Sequence, residues 1–334
     1  MYTVCYILTD SEDLLLFNEM MISISSLRYY GYNGTILLVT EQLTYKLLTS
    51  KFSVLLKYGV DVKCIDVPER FNQLEKSRFL KTSLRCYLNG DYLYVDTDTI
   101  FTSKLPDVIS NQEIAMVTDH HYEKLIINTP TYNYALPLAK KLDITLLLGE
   151  SYFNSGVAWV KDTKKTHKLY ELWHKNWIDS CNNGVFQDQL SLNAVNHKLG
   201  NMISRLDDIY NVQITDGETI PFRLLGAAII IHYFHPGENK REYLLTIPDV
   251  RNQYFESKFI KNIIKSPKTA FIDGKIITAK AFTDMTNINR TLQYKVLRNL
   301  YTHKTIFNIN EFILRKLYAV YRLFVKVLGD SCKN

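Results

Sequence analysis

Cysteine is scarce in this 334-residue chain: Cys5, Cys64, Cys86, Cys181 and Cys332, with no two in a CxxC pair. That spacing indicates neither a cysteine-built zinc site nor a disulfide framework, and it fits a reducing compartment. No apolar run is long enough to span a bilayer. The first residues, Met1-Tyr2-Thr3-Val4, hold neither a charged n-region nor a cleavage site, so no signal peptide is expected. Neither GxGxxG nor GxxxxGK(S/T) occurs, which leaves a dinucleotide fold and a P-loop unsupported. No recognised nucleic-acid-binding motif accompanies the basic residues, so nucleic acid is not an expected partner.

What the chain does hold is 46% hydrophobic and 22% charged residues, as in a soluble globular protein. Its length allows one to three domains. The 23 Tyr and 16 Phe serve first to fill cores, with stacking on sugars or bases as a second use of such faces. The net charge of +6 hides an asymmetry. Residues 251–334 hold 16 Lys+Arg against 5 Asp+Glu, a net +11, which leaves −5 over residues 1–250. A basic C-terminal third on an acidic body predicts an anionic partner for that third. Within it, Ile313, Leu317, Val320, Phe324 and Leu328 fall on one side of a helical pattern over residues 310–328. Arg315, Arg322 and Lys326 fall on the other, with Tyr318 and Tyr321 at the flanks. Two uses of such a helix compete: packing through its apolar stripe, or attachment to an anionic membrane surface. The expected organisation is an α/β body over residues 1–250 and a mostly helical basic region over 251–334.

Apolar runs alternate with helical stretches through the body. Residues 4–8 read as a strand, with Asp10 or Ser11 placed to cap a helix that ends near Tyr30, before Gly31 and Gly34. Residues 35–40 form a second strand, a helical stretch follows to about Tyr58, and residues 60–67 form a third strand that Pro68 breaks. Residues 79–88 read as a helix ended by Asn89-Gly90. Residues 91–96, 114–117 and 227–233 supply further strands, and another follows Asn154-Ser155-Gly156. Residues 163–180 form an aromatic-rich helix, and residues 122–150 are weakly patterned. This alternation predicts a mostly parallel sheet with helices on both faces. In such sheets ligands sit beyond the carboxyl ends of the strands, where Asp10, Asp96 and Asp98 fall.

The stretch LYVDTDTIF over residues 93–101 is the chemical centre. Asp96 and Asp98 stand two apart, so in an extended chain they leave on the same face. Two hard oxygen donors suit a divalent cation with open positions, able to hold a substrate's phosphates. Two solvated aspartates in a strand-end turn are the plain alternative. Asp119 precedes His120 and His121, whose side chains diverge, and is the one expected to face the site. Gly156 permits close backbone approach beside the short polar Asn154 and Ser155. Asp188 stands where a loop enters a helix, and its plain use is as an N-cap. His232 leaves the apolar run AAIIIHY toward FHPGENK, which makes it a ligand candidate.

The segments YLYVDTDTIF, FNSGVAWV, FQDQLSLN and IHYFHPGENK, in this order, resemble glycosyltransferase family 8, over roughly residues 2–240. That family contains glycogenin and the bacterial lipooligosaccharide galactosyltransferases. The resemblance implies a GT-A fold, in which a Rossmann-like nucleotide half is continuous with an acceptor half. It implies a nucleotide-sugar donor, commonly a UDP-sugar, and Mn²⁺, which an imidazole beside two carboxylates suits better than Mg²⁺. Asp96, Asp98 and His232 would bind the ion. Thr9 and Asp10 would contact the base. Lys81, Thr97, Asp119, Asn154, Ser155, Gly156 and Lys240 would serve the donor, and Asp188 and Gln189 would lie beneath the reacting anomeric carbon. Family members place Gly three and Lys six residues after the metal-binding His, then Pro-Trp. Here His235 takes the first of those places, Gly237 and Lys240 follow five and eight after His232, and no Pro-Trp follows. His232 and His235 therefore both stand as candidates for the third ligand.

The implied reaction is retaining transfer of a hexosyl unit to a glycan or lipid-linked glycan, in polysaccharide biosynthesis. The implied setting is the cytoplasm, with peripheral attachment to the inner face of a membrane. Two rivals remain. A non-catalytic protein that keeps the fold is opposed by the intact Asp96, Asp98, Asp188 and His232. A nucleotidyltransferase is opposed by TDSEDLLLF, which stands where a Gly-rich basic signature would be.

Overall fold

The computed structural model describes residues 2–10, 14–214, 222–234, 245 and 254–271, together with 303, 305, 306, 308, 309, 312, 313 and 316. The chain divides into two compact units, Met1–Ile276 and Ile277–Asn334. The first unit begins β1 (Thr3–Leu8), α1 (Leu15–Tyr29), β2 (Ile36–Glu41), α2 (Gln42–Leu47), α3 (Phe52–Lys57) and β3 (Val60–Ile65). It continues with α4 (Gln73–Ser83), β4 (Tyr92–Val95), β5 (Thr99–Phe101), β6 (Ile114–Thr118), α5 (Pro130–Lys141) and β7 (Phe153–Val160). Then come α6 (Lys164–Asn182), α7 (Asp188–Lys198), β8 (Ser204–Arg205), β9 (Val212–Gln213), α8 (Phe222–Ala227), β10 (Ile230–His232) and α9 (Lys258–Lys265).

Seven strands form one sheet in the order β3-β2-β1-β4-β7-β6-β8. The pairs β1–β2, β1–β4, β2–β3 and β6–β8 are parallel, whereas β7 runs antiparallel to both β4 and β6. One strand of seven thus opposes the rest, and the mostly parallel α/β sheet expected from the sequence is borne out. Successive side chains of β1 point to opposite faces. Val4, Tyr6 and Leu8 enter one apolar cluster with Phe17, Met20, Ile24 and Leu27 of α1. Cys5 and Ile7 enter a second cluster with Leu80 of α4 and Leu169 and Trp173 of α6. Helices therefore cover both faces. Each such side chain, fully buried, is worth about 1.5–3 kcal/mol. A smaller sheet, β5-β10-β9, continues from the main one where the chain passes from β4 to β5.

Several elements differ from the sequence expectation for identifiable reasons. The helix expected over 79–88 starts earlier, at Gln73, and closes with a 3₁₀ turn over Leu84–Cys86. Its start is set by a capping box: the Asn72 side chain accepts from Glu75 N, and the Glu75 carboxylate accepts from Asn72 N. The stretch expected to be one helix up to Tyr58 breaks into α2, a 3₁₀ turn and α3. Residues 122–150 include the regular helix α5, with Thr129 accepting from Tyr132 N at its start. Strand β10 covers Ile230–His232 of the run 227–233, whose first residue closes α8. Residues 254–271 pack on α1, where Tyr30 Oη donates to Ile264 O and Phe255 N to Asn18 Oδ1.

Candidate metal and donor site

Strand pairing builds the site. At the end of β4, Asp96 N still donates to Gly156 O at 2.8 Å. Thr97 and Asp98 bend the chain into β5. β10 lies antiparallel to β5 with His232 opposite Thr99, and Tyr233 N donates to Asp98 O at 3.0 Å. A sheet ladder, more rigid than a loop, thus sets His232 beside the acidic turn. His232 Nε2 lies 3.2 Å from Asp98 Oδ1 and 4.0 Å from Asp96 Oδ2. One ligand atom from each of Asp96, Asp98 and His232 lies within 4.8 Å of the others. From beneath, Thr99 Oγ1 donates to Asp96 O and also shares a hydrogen bond with Ser23 of α1.

Gly156 is required by this geometry. A Cβ there would stand 2.4 Å from His232 Cε1, 2.7 Å from His232 Nδ1 and 2.9 Å from Asp96 Oδ2. The close approach read from the sequence is therefore that of the site's own ligands to the β7 backbone.

Helix α4 supplies the positive charge. Lys81 and Arg78 are three apart and share a face. Lys81 is buried; its Nζ lies 3.1 Å from Asp96 Oδ1 and 3.9 Å from Asp188 Oδ2. Tyr94 Oη donates to Asp96 Oδ1. Arg78 Nε lies 3.1 Å from Asp188 Oδ1. Burial would lower the Arg78 pKa, but the Asp188, Asp96 and Asp98 carboxylates outweigh it and hold the guanidinium firmly charged. Asp188 shows the same balance with the sign reversed. Burial raises its pKa, yet Lys81, Arg78 and the Ser155 hydroxyl, which donates at 2.8 Å, together bring it below the usual carboxylate range. Asp188 is the first residue of α7, and Gln187 stands at the cap position. The Asp188 side chain is thus spent on Arg78 and Ser155, and its N-cap reading does not hold. Gln189 follows it, half-buried.

Asp119 is buried and accepts from Asn154 Nδ2 at 3.0 Å and from Thr131 Oγ1 at 2.7 Å. His120 and His121 both have positive φ in the single 3₁₀ turn that starts at Asp119, and His120 Nε2 lies 3.8 Å from Asp119 Oδ2. His121 turns away to Gln213 N and Asp208. Thr9 and Asp10 are buried at the end of β1. Thr9 Oγ1 donates to Gln73 O, and Asp10 Oδ2 accepts from Phe17 N in the first turn of α1. Asp10 thus serves α1 from outside the cap position, which Leu14 holds in a left-handed conformation. Ser11, His235 and Lys240 lie outside the described residues.

The residues fit a divalent cation. Two carboxylates and an imidazole converge on one point, and the missing Cβ of Gly156 leaves room for them. Lys81 and Arg78 pair with Asp96 and Asp188, and the carboxylates of Asp96 and Asp98 are hard oxygen donors of the kind a divalent cation takes. Sequence reasoning missed Arg78, Tyr94 and Asn211. The three-residue spacing of Arg78 from Lys81 was a usable signal, whereas Asn211 precedes a two-residue strand and carries none.

No protein-family model matches the chain, and no curated protein sequence matches it. Solved structures with similar coordinates include mouse xyloside xylosyltransferase 1 in its apo form, at 15% identity over 70% of this chain and 97% of that one, with a TM-score of 0.46. The galactosyltransferase LgtC, in complex with donor and acceptor sugar analogues, aligns at 13% identity over 79% of this chain and 95% of that one, with a TM-score of 0.49. The glycosyltransferase GlyE of Streptococcus pneumoniae TIGR4 aligns at 16% identity over 80% of this chain and 64% of that one, also at 0.49. All of these scores lie below 0.5, so residue roles do not transfer from them.

Proposed function

We propose that this chain is a metal-dependent glycosyltransferase of the family 8 kind, moving a hexosyl unit from a nucleotide diphosphate sugar, with UDP favoured, to a glycan acceptor. The observation that carries this reading is the convergence of Asp96, Asp98 and His232 at strand ends, over Gly156, beside Lys81, Arg78 and Asp188. Asp96, Asp98 and His232 would hold Mn²⁺ or Mg²⁺, which when bound supplies Lewis-acid stabilisation of a leaving diphosphate. Lys81 and Arg78 add fixed positive charge on the same side, in place before the reaction begins. Asp188, kept ionised, cannot donate a proton. Its role is electrostatic: with the Gln189 amide it faces the positive charge that develops at the anomeric carbon. The bond from that carbon to the diphosphate oxygen breaks, the acceptor oxygen takes its place, and the departing phosphate accepts the acceptor's proton on the same face. Configuration is thereby retained.

The test is a nucleotide-sugar panel with Mn²⁺, scored for slow donor hydrolysis without acceptor. At least one donor is expected to be hydrolysed, with the rate abolished by chelation and by Asp96→Asn or Asp98→Asn. Binding of a donor without turnover on any acceptor would instead establish a non-catalytic sugar-nucleotide-binding protein. An inverted product would remove the role given to Asp188 and Gln189. The acceptor reading extends to lipid-linked glycans at the cytoplasmic face of a membrane, supported by the net +11 of residues 251–334. Among the described residues no helix is long and apolar enough to cross a membrane.

A further inference from the structure

A buried chain of side-chain amides ends on His232, and its direction is set by a group with no alternative. The backbone N–H of Gly156 donates to the Asn154 side chain at 2.9 Å, so the atom it meets is Oδ1. Asn154 Nδ2 then faces Asp119 Oδ1 at 3.0 Å. Asn211 reaches the same Asn154 oxygen at 3.0 Å. Only its Nδ2 can donate there, so its Oδ1 is the atom turned to His232 Nδ1, at 3.2 Å. An amide oxygen only accepts. The hydrogen between them therefore belongs to His232 Nδ1. Asn154, Asn211 and His232 are 4%, 0% and 2% exposed, so bulk water does not compete for these bonds. The Phe234 ring, stacked on the imidazole at 3.8 Å, fixes its plane.

We propose that Asn211 is a positioning residue that selects the tautomer of His232. With Nδ1 protonated and tied to Asn211, the neutral ring presents the Nε2 lone pair to the point shared with Asp96 and Asp98. A neutral imidazole free in water favours the opposite tautomer, with the hydrogen on Nε2, which would block that point. Metal-binding histidines generally need such an outer partner on the far nitrogen. Here it is an amide whose own orientation traces back to one backbone N–H. The inference rests on the metal site proposed above.

The test uses the full chain and two variants. Asn211→Asp keeps an acceptor for Nδ1–H, whereas Asn211→Leu removes it; both break the donation to Asn154. In ¹⁵N-histidine-labelled protein, with His232 identified through His232→Gln, the neutral ring should show Nδ1–H in the wild type and in Asn211→Asp. In Asn211→Leu it should move toward Nε2–H. Calorimetric titration with Mn²⁺ alone, without donor, should show roughly 10- to 100-fold weaker binding for Asn211→Leu and retained binding for Asn211→Asp. An Nε2–H tautomer in the wild type overturns the proposal even if Asn211→Leu does not fold. Equal loss of affinity in both variants marks a packing role only and also overturns it. If the wild type binds Mn²⁺ and Asn211→Leu binds it as tightly, the role of Asn211 fails while the metal site stands. A wild type that binds no Mn²⁺ removes the metal site itself.

Discussion

Gly156 concentrates the constraints on the site into one missing methyl group. A carboxylate and the imidazole occupy the space its β-carbon would take, and those two cannot retreat, since β5–β10 pairing fixes His232 and Lys81 and Tyr94 hold Asp96. Gly156→Ala should therefore displace His232 or Asp96 rather than relax around them. The expected cost is about 1–3 kcal/mol of stability from overpacking. A drop in Mn²⁺ affinity larger than that of Ala158→Gly, a change on the same strand, should accompany it; urea unfolding and metal titration read the two effects separately. His174 gives a second prediction at this scale. Its ring sits between Phe79 at 4.7 Å and Trp177 at 6.2 Å, with Thr82 Oγ1 2.8 Å from Nδ1. Burial lowers its pKa below the ordinary value of 6.5. The folded state thus prefers the neutral ring. Stability from this preference is complete above pH 6.5 and is lost as pH falls through the folded pKa, because the unfolded chain takes up the proton first. Unfolding free energy measured at pH 7.5 and at pH 5.5 should fall less in His174→Gln than in the wild type.

Helix α4 shows how one element links sequence, fold and site. Its Asn72–Glu75 box fixes where it starts, and two turns later Arg78 and Lys81 point at the carboxylates. Asn72→Ala should cost about 1 kcal/mol in urea unfolding. The site's Mn²⁺ affinity should stay close to wild type, since the cap lies upstream of Lys81 and the metal ligands come from other elements. A large loss of affinity would mean that the helix start, and not the Asp96 contact, positions Lys81. This helix also marks the limit of what the sequence made legible. The alternation of apolar runs was enough to place β1, β2 and β4 and the acidic turn after them, because a buried strand needs an apolar run and a site needs polar residues at its end. The start of α4 at Gln73 is carried by the N-x-x-E pattern at Asn72, whereas the apolar run marks the helix only from Phe79. Asp119, Asn154 and His232 could be singled out by position in a motif or at a strand end. Their mutual connection through Asn211 could not, since it depends on β9 lying parallel to β10, a pairing between segments about twenty residues apart with no local pattern.

At the scale of the whole molecule, the charge asymmetry is the feature that the α/β body leaves unused. Among the described positions of the second unit, Ile306, Ile309, Phe312 and Ile313 are 52%, 57%, 62% and 48% exposed, at helical spacing. The stripe expected further on, through Leu317, Val320, Phe324 and Leu328, lies outside the described residues, as do Arg315, Arg322 and Lys326. Apolar residues open to solvent at this spacing, within a segment of net positive charge, are the ingredients of an interfacial helix. We therefore expect the full chain to float with vesicles containing anionic lipid at low salt and not with neutral vesicles. Each Lys or Arg close to an anionic surface contributes about 1 kcal/mol. Replacing Arg315, Arg322 and Lys326 by Gln should then weaken binding by about a hundredfold. Raising the salt to 1 M, where the screening length shrinks to about 3 Å, should release the charge-driven part and leave the apolar part. Flotation that is insensitive to lipid charge would assign the stripe to apolar burial alone. A chain that stays unbound to anionic vesicles at low salt would end the membrane reading and, with it, the case for a lipid-linked acceptor over a soluble glycan.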